Sequence, residues 1–417
     1  MDTANSKRIY RIGISGSYGG MNLGDEAILA AMIAEMRAAV PVDITVFSRY
    51  PQDTLSRHDV ERAVPVRSLT QKEIRPEIAR LDLLVLGGGG ILFDRDAHAY
   101  LREVLLAHEL GVTVMVYAIS AGPLRDPSAR EVVRAALNQA AVITVRDREG
   151  YRLLEDVGVS TEIHLTGDPA LLLTQTALSK EAIEAEGVEF DRHLIGFSVR
   201  EPGPAAPELD PEEYCSLLAN AADFAIERLD SDVVFVAMER TDIQHAHGVV
   251  AHMYNADRVE ILRKRYSSQQ ILDLLGRFEF AVGMRLHFLI FAALQGTPFV
   301  ALPYASKVVG FLEDLQLETP PLGDFGVGQL IARIDRPGIG ATKSAPPPNG
   351  SSRPCKTAHA RPTACWSSSS GGATASSRKH SWSARQVGES GNRSGLVPKH
   401  SRHPVSQAQR HRGPAVC

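Results

Sequence analysis

A guanidinium and an imidazole lie two residues apart in the segment Gly283-Met284-Arg285-Leu286-His287. The segment follows the strand-like run FEFAV and precedes the helical run LHFLIFAALQG, so both side chains are expected at the carboxyl end of a strand. A guanidinium binds phosphate or carboxylate through paired hydrogen bonds, and an imidazole can exchange a proton near neutral pH. The pair suits a reaction on an anionic substrate. The alternative is a structural ion pair at Arg285 and a satisfied helix-start histidine at His287.

A glycine-rich loop precedes the first long helical pattern, in the segment GSYGGMNLGDE at residues 16–26. Because it follows a strand-like run, its backbone N–H groups and the positive end of the helix could face an anion. The segment matches neither G-x-G-x-x-G nor the Walker A pattern. The alternative is a plain turn in which Asn22 or Asp25 caps the helix.

Four consecutive glycines, Gly87–Gly90, end the most apolar strand-like run of the chain. Glycine adopts positive φ at little steric cost and allows close approach of the backbone, but it loses more conformational entropy on folding than other residues. Since four glycines are costly as filler, we favour a ligand-facing loop over a tight strand-to-loop turn.

The elements that must position these residues follow an alternating pattern. In the first half, helical stretches separate the strand-like runs RIYRIGISG, DITVFS, LDLLVLGGGG, VTVMVYAIS and AVITVRD. This alternation indicates parallel strands joined by crossover helices. The glycine-rich turns then fall at the carboxyl edge of the sheet, where open α/β sheets bind ligands.

A second unit follows an acidic, helical connector and contains the runs HLIGFSVR, DVVFVAM, DRVEIL, FEFAVGM and TPFVALPY. The fold class predicted is therefore α/β, with two Rossmann-like domains facing a cleft, as in the GT-B architecture, followed by a disordered tail. The predicted boundaries are 1–175 for the N-terminal domain, 176–192 for the connector, 193–340 for the C-terminal domain and 341–417 for the tail.

The composition is that of a globular protein, with 44% hydrophobic and 23% charged residues among 417. No run approaches the roughly 18 to 20 apolar residues of a membrane-spanning helix, and no apolar signal core precedes the first strand. We expect a cytoplasmic protein, with peripheral association at the inner face of the membrane as an alternative. Only Cys215 of the four cysteines lies in the main body, so we expect neither a disulfide framework nor structural zinc.

Charge is unevenly distributed along the chain. The segment from Lys343 onwards carries 12 of the 45 Lys and Arg residues but one of the 49 acidic residues. Residues 1–342 therefore hold 33 basic and 48 acidic side chains, a formal charge of −15. An acidic body argues against nucleic acid as its partner.

The tail has a composition that should not pack, rich in Ser, Pro and Gly, and it contains both Trp366 and Trp382. One hypothesis is a natural disordered arm that contacts anionic surfaces. The other is out-of-frame translation that has replaced a C-terminal helix. We favour the second, because Cys, Trp, His and Pro are scattered through the tail with no period.

Several segments together resemble the polysaccharide pyruvyl transferase family. The most specific is GMRLHFLIFAALQGTPFVALPYASKVVGFL, whose arginine–leucine–histidine segment carries activity in that family. In chain order, NLGDEAIL, LVLGGGGIL, ISAGPL, RDREGYRLLEDVGV, LTGDPAL and GFSVRE also resemble its motifs. The resemblance covers roughly residues 8–320, and an ordered set of motifs is more specific than any single one. The tail departs from the family, whose members usually end in a helical segment.

The resemblance implies roles for individual residues. Arg285 and His287 take the positions of the family's essential arginine and histidine, and Arg200 resembles a further essential arginine. For Arg200 the alternative is a surface ion pair with a neighbouring acid. The substrate-binding residues implied are Gly16, Asn22, Gly24, Asp25, Glu26, Gly88, Gly89, Gly90, Leu286 and Lys307.

By the same resemblance we expect an enzyme that transfers the pyruvyl group of phosphoenolpyruvate to a sugar as a cyclic ketal and releases phosphate. Phosphoenolpyruvate would bind the C-terminal domain as donor substrate, without a cofactor or metal. The acceptor would be a glycan or lipid-linked saccharide of a cell-surface polysaccharide; the number of subunits is left open. Two alternatives are a nucleotide-sugar glycosyltransferase and an inactive glycan-binding protein that has lost its last helix.

Weaker candidates lie at two further turns. The charged run Arg146-Asp147-Arg148 fits the family but is also typical of a helix cap, and Gly167-Asp168-Pro169 could place a carboxylate in the cleft or simply form a turn. Three histidines at positions 245, 247 and 252 do not share one helix face, so a metal site is not expected there.

Removal of the tail tests its predicted independence from the body. Deleting residues 343–417 should change the melting temperature little, because the segment offers too little apolar surface to offset the entropy of ordering it. Restoring an alternative frame that encodes an amphipathic helix should raise the melting temperature. Unfolding of the body on deletion, followed by circular dichroism, would show that the tail is a genuine domain.

Overall fold

The computed structural model describes residues 8–202, 210–317, 320, 322–324 and 326–335. The tail predicted for residues 341–417 lies outside the described residues. Two parallel sheets and their helices form one compact unit.

The first sheet is parallel throughout and contains the strands of the N-terminal half. Its strand order is β3-β2-β1-β4-β6-β7-β8, with β5 paired to β6 beyond the end of β4. The strands are β1 Tyr10–Ser15, β2 Val42–Ser48, β3 Arg62–Pro65, β4 Leu83–Leu86, β5 Gly89–Leu92, β6 Thr113–Ala121, β7 Val142–Val145 and β8 Ile163–Leu165.

The second sheet is also parallel and has the order β11-β10-β9-β12-β13. Its strands are β9 His193–Ser198, β10 Ser231–Phe235, β11 Val259–Ile261, β12 Phe280–Gly283 and β13 Phe299–Ala301. Each of these strands coincides with one of the strand-like runs identified in the sequence of the second unit. Two parallel, helix-covered sheets confirm the predicted α/β fold class.

Crossover helices cover the sheets. They are α1 Leu23–Ala39, α2 Pro51–Arg57, α3 Gln71–Ala79, α4 Ala97–Glu109, α5 Pro127–Leu137, α6 Arg148–Val157, α7 Lys180–Glu184, α8 Pro211–Leu229, α9 Asp242–Val250, α10 Ser268–Leu275, α11 Leu286–Gln295, α12 Ser306–Asp314 and α13 Val327–Ile334. Local sequence sets several of their ends. Ser267 and Gln270 form a capping box at the start of α10, and Gly296 ends α11 with a φ of 68°.

The strand orders fix where the candidate residues meet. Strand β1 lies between β2 and β4, and β9 lies between β10 and β12, so the chain changes direction across each sheet at these strands. Such switch points open a crevice at the carboxyl ends of the strands. The loop after β1, the glycines after β4, Arg200 after β9 and the Arg285 segment after β12 therefore all flank a switch point.

The first turn of α1 joins the two sheets. The backbone N–H of Leu23 donates to the carbonyl of Met238 at 2.8 Å, and the hydroxyl of Ser268 donates to the carbonyl of Leu23 at 2.6 Å. A continuous buried core contains residues of both sheets, including Ile14 and Phe197. The crevices of the two sheets are consequently held against each other.

Some elements differ from the sequence patterns. The short strands β3 and β8 carry too few apolar residues for a recognisable pattern, and β5 contains two glycines of the Gly87–Gly90 run. The strands fall at residues 10–165 and 193–301, while the domain boundaries given above stay predictions. No helix in the described part of the chain is long and apolar enough to cross a membrane.

Phe197 offers a test of the second sheet's core. It is fully buried on β9, and its ring centroid lies 5.6 Å from that of Phe235. We expect Phe197→Ala to lower the free energy of unfolding by about 3–5 kcal/mol, since it removes a ring and leaves a cavity. Urea denaturation measures this. Tyr254→Ala is the control, because Tyr254 is 90% exposed; equal losses in both variants would contradict the core assignment.

Candidate active site

His287 lies at the junction of the two sheets, in the first turn of α11. Its Nε2 is 3.5 Å from Oδ2 of Asp168, which follows β8 of the first sheet. The contact is an ion-pair distance without hydrogen-bond geometry, and Nε2 has no hydrogen-bond partner among the described residues. On the other side, a Cβ added to Gly24 would lie 2.0 Å from Nδ1 of the ring, so position 24 admits only glycine while the imidazole stays there.

Asp168 is held by a second basic residue. Nη1 of Arg146 donates to its Oδ2 at 2.7 Å, and the N–H of Ala170 donates to its Oδ1 at 2.9 Å. Burial by itself would raise the pKa of Asp168, but the charges of Arg146 and His287 outweigh burial and hold it well below its ordinary value. The site therefore contains a carboxylate that stays ionised and faces the imidazole.

Arg285 is paired inside the C-terminal domain. Its Nε donates to both carboxylate oxygens of Asp242, at 3.2 and 3.0 Å, and Nη2 donates to Glu239 at 2.8 Å and also to Asp242. Burial would lower the pKa of Arg285, but the bonds to Asp242 raise it, so the guanidinium keeps its charge. The ion-pair alternative considered from the sequence is thus present at Arg285.

A cationic group surrounds Tyr304, which follows β13. The guanidinium carbon of Arg200 lies 4.3 Å from the centre of the Tyr304 ring, and Nζ of Lys307 lies 5.4 Å from it. Burial would raise the pKa of Tyr304, but Lys307, Arg200 and Arg285 together lower it below its ordinary value. These positive charges therefore act on one place at the carboxyl edge of the second sheet.

The carboxyl group of Asp25 is influenced both by His287 and by Lys307 of the cationic group around Tyr304. Burial raises the pKa of this carboxyl above its ordinary value, partly offset by His287, a hydrogen bond from Ser17, and Lys307. One of its oxygens lies 3.4 Å from the position of a Cβ built on Gly89. Gly89 has a φ of 99°, a conformation that favours glycine, so backbone and carboxyl approach each other closely here.

The N-terminus of α1 is not an open anion site. The N–H of Leu23 donates to Met238, and those of Gly24 and Asp25 donate to Oδ1 of Asn22 at 2.9 and 3.4 Å. The capping alternative therefore holds for Asn22. Because these groups are already bonded, the expectation that the start of the helix presents free N–H groups to a ligand is wrong.

Glu26 points away from the site and fixes the loop. Its carboxylate is buried, accepting from the N–H of Gly19 at 2.9 Å and contacting Nε2 of His58 at 2.8 Å. Gly16 packs beside Tyr18, which is also buried. These contacts give the loop a fixed backbone behind Asp25.

The four glycines Gly87–Gly90 form neither a free loop nor a tight turn. Gly87 and Gly88 separate β4 from β5, and these two strands pair with successive parts of β6. A Cβ at Gly87 would lie 2.2 Å from the hydroxyl of Tyr18, one at Gly88 2.9 Å from Ile28, and one at Gly90 3.9 Å from Nη2 of Arg146. The glycines thus allow close packing on one side and approach to the site on the other.

The structure brings together most, but not all, of the residues singled out in the sequence. His287 lies beside Gly24 and Asp25, and Arg200 lies with Lys307, whereas Glu26 and the buried Leu286 lie within the packing of the fold. The sequence left Arg146 and Asp168 with alternatives, and it missed the roles of three others. These are Tyr304, which the turn after the last strand could have indicated, and Glu239 and Asp242, for which no sequence signal was present.

The fold places the chain among α/β proteins of GT-B-like architecture. UDP-GlcNAc 2-epimerase of Methanocaldococcus jannaschii is 12% identical, with a TM-score of 0.54, over 78% of this chain and 92% of its own. The S. aureus MnaA–UDP structure is 12% identical, with a TM-score of 0.54, over 79% of this chain and 87% of its own. At these identities the likeness concerns the fold.

The sequence profile of the polysaccharide pyruvyl transferase family matches residues 22–306. The chain belongs to that family, which confirms the resemblance and makes the protein a polysaccharide-modifying transferase. Among characterised relatives, the amylovoran biosynthesis protein AmsJ of Erwinia amylovora is 20% identical over 278 residues, or 63% of this chain and 67% of AmsJ.

Asp168→Asn tests the buried ion pair. At pH 7 the substitution should lower the free energy of unfolding by on the order of 3 kcal/mol, because Arg146 keeps a buried charge without its counter-ion. The pKa of Asp168 is depressed in the folded state, so its contribution is complete above the ordinary carboxyl pKa of about 4 and is lost as the pH falls below it. Denaturant melts from pH 7 to pH 3 should show the two proteins converging.

Asp156→Asn is the matched control. Asp156 pairs with Arg130 at 2.8 Å, but its side chain is 70% exposed, so a change within about 1 kcal/mol is expected. A stability difference for Asp168→Asn that stayed constant down to pH 3 would contradict the depressed pKa.

Proposed function

We propose that this transferase uses phosphoenolpyruvate as donor and forms a cyclic pyruvate ketal on a saccharide acceptor. A proton adds to the methylene carbon of phosphoenolpyruvate, and one sugar hydroxyl attacks C2. The C2–O bond to phosphate breaks, and a second hydroxyl attacks C2 to close the ring. Both hydroxyls lose their protons; one proton equivalent goes to the methylene carbon and one leaves with the phosphate.

The observation that carries this proposal is the position of His287. Its imidazole lies 3.5 Å from the ionised Asp168, and both His287 and Lys307 act electrostatically on the carboxyl group of Asp25. Protonation of the methylene carbon needs a proton donor, and attack by a sugar hydroxyl needs a proton acceptor. One imidazole can serve as both. Asp168 places a fixed negative charge beside the imidazole, the position that an ionised carboxylate has beside a general base.

The donor carries a carboxylate and a phosphate, which need cationic partners in an acidic body. Arg200 and Lys307 supply them at the edge of the second sheet, and the field of Arg285 adds to theirs. Charged hydrogen bonds of this kind stabilise the departing phosphate as its negative charge develops. Binding of phosphoenolpyruvate would also release Nη2 of Arg285 from Glu239, whose side chain is 38% exposed.

Substitutions separate proton transfer from donor binding. His287→Ala should lower kcat for phosphate release about 100-fold or more, since it removes the general acid and base. Arg200→Gln should raise KM for phosphoenolpyruvate about tenfold or more, through loss of charge-assisted bonds. Arg285→Lys should recover little of the activity lost in Arg285→Gln, because an ammonium cannot bind Asp242 and Glu239 as the guanidinium does.

These rates are measured as phosphate release from phosphoenolpyruvate with a panel of glycan acceptors. His164→Ala is the histidine control, since His164 is 43% exposed on β8, and melting curves check that each variant is folded. Normal turnover in folded His287→Ala would exclude the assigned role. Transfer from a nucleotide sugar with none from phosphoenolpyruvate would favour the glycosyltransferase alternative.

A further inference from the structure

A cavity of about 280 Å³ lies next to the active site, at the carboxyl ends of β10 and β11. Apolar side chains line part of it, among them Leu23, Val236, Leu262 and Ile271. Five cationic residues also line it. Glu239 is the acidic residue that lines it in the described part of the chain. The cationic residues are Arg57, Arg240, Arg263, Lys264 and Arg265.

This concentration of positive charge is unusual for the body of the chain, where 33 basic residues face 48 acidic ones in residues 1–342. Arg240, Arg263 and Lys264 are exposed, and Nζ of Lys264 donates to the carbonyl of Ala182 at 3.1 Å. The charges of Arg240 and Arg263 are therefore the ones most available to a ligand from solvent. A concave surface on which one sign of charge predominates focuses the field and raises the local concentration of an oppositely charged ligand. The cavity is therefore chemically suited to a multiply charged anion.

Contacts between the domains hold the cavity in shape. Arg57 of α2 donates from Nη1 to the carbonyl of Tyr266 at 3.2 Å and from Nε to Asp53 at 2.8 Å. Arg265 of the second domain lies 3.5 Å from the same Asp53 carboxylate. The lining thus comes both from segments next to the first sheet and from segments next to the second sheet.

The cavity adjoins the residues assigned to the reaction. Glu239 lines it and also binds Nη2 of Arg285 at 2.8 Å. Leu23 lines it as well, and the next residue, Gly24, packs against the His287 ring. Two lining residues of the cavity are therefore direct neighbours of groups that contact Arg285 and His287.

We propose that this cavity binds the phosphate or diphosphate group of the saccharide acceptor. This inference rests on the proposed function, in which the cationic group around Tyr304 serves the donor and leaves the cavity for the second substrate. At about 280 Å³ the cavity is small for a complete ligand, so it holds the charged group while the sugar extends towards His287. The acceptor is accordingly a phosphorylated saccharide precursor rather than a neutral finished polymer.

Titration calorimetry with three probes tests the site: inorganic pyrophosphate, UDP and farnesyl diphosphate. The variant Arg240→Gln/Arg263→Gln/Lys264→Gln should bind each probe that the unmodified protein binds at least tenfold more weakly. The control Lys72→Gln/Arg152→Gln/Arg228→Gln removes the same charge from exposed positions on α3, α6 and α8, and should change affinity less than twofold. Tighter binding of UDP would indicate a nucleotide-linked acceptor, and tighter binding of farnesyl diphosphate a lipid-linked one.

Equal losses in the two triple variants, or no binding of any probe to the unmodified protein, would overturn the inference. Phosphoenolpyruvate is titrated separately, and its affinity should be the same in both variants within about twofold. Absence of phosphoenolpyruvate binding to the unmodified protein would count against the proposed function, whatever the diphosphate probes show. The two failures are thus distinguishable.

Discussion

The docking of the first turn of α1 onto the C-terminal domain is the contact on which the rest of the site depends. Leu23 bonds to Met238 through its N–H and to Ser268 through its carbonyl, and Gly24 leaves room for the His287 ring. Without this contact Asp25 and Asp168, which belong to the first domain, would not face an imidazole of the second. Because its N–H groups are consumed in the contact and the cap, the turn serves to position residues and does not bind an anion.

Electrostatics divides the site into parts with different tasks. The Arg146–Asp168 pair is buried and keeps an ionised carboxylate beside His287, whereas Arg200 and Lys307 present positive charge from the edge of the second sheet. Arg285 is intermediate between a buried ion pair and a cation at the edge of the sheet. Its counter-ions are the buried Asp242 and the half-exposed Glu239. A paired arginine is held in one orientation, and an anionic ligand needs to displace only the more exposed partner.

The same α/β architecture occurs in the epimerases that the fold resembles, so the fold does not select the chemistry. The chemistry depends on the side chains at the two switch points. They are an imidazole facing an ionised carboxylate and a group of cations at the edge of the second sheet. The basic cavity lies beside them.

The sequence by itself determined the fold class and the family. Short, nearly continuous apolar runs alternating with helical patterns indicate parallel strands and crossover helices, and turn residues then fall at the carboxyl edge of the sheet. Ordered motifs around Arg285 and His287 identified the family. These features are local in the chain, which is why a sequence pattern can reveal them.

Only the tertiary structure decided which residues meet. Asp168 lies 119 positions before His287 in the chain, and Asp242 lies 43 positions before Arg285, so neither pairing leaves a periodic signal. Strand order decided that the two glycine-rich segments flank one crevice, and helix docking decided that Glu26 is buried while Asp25 faces the site. Such outcomes follow from long-range packing, which local composition does not encode.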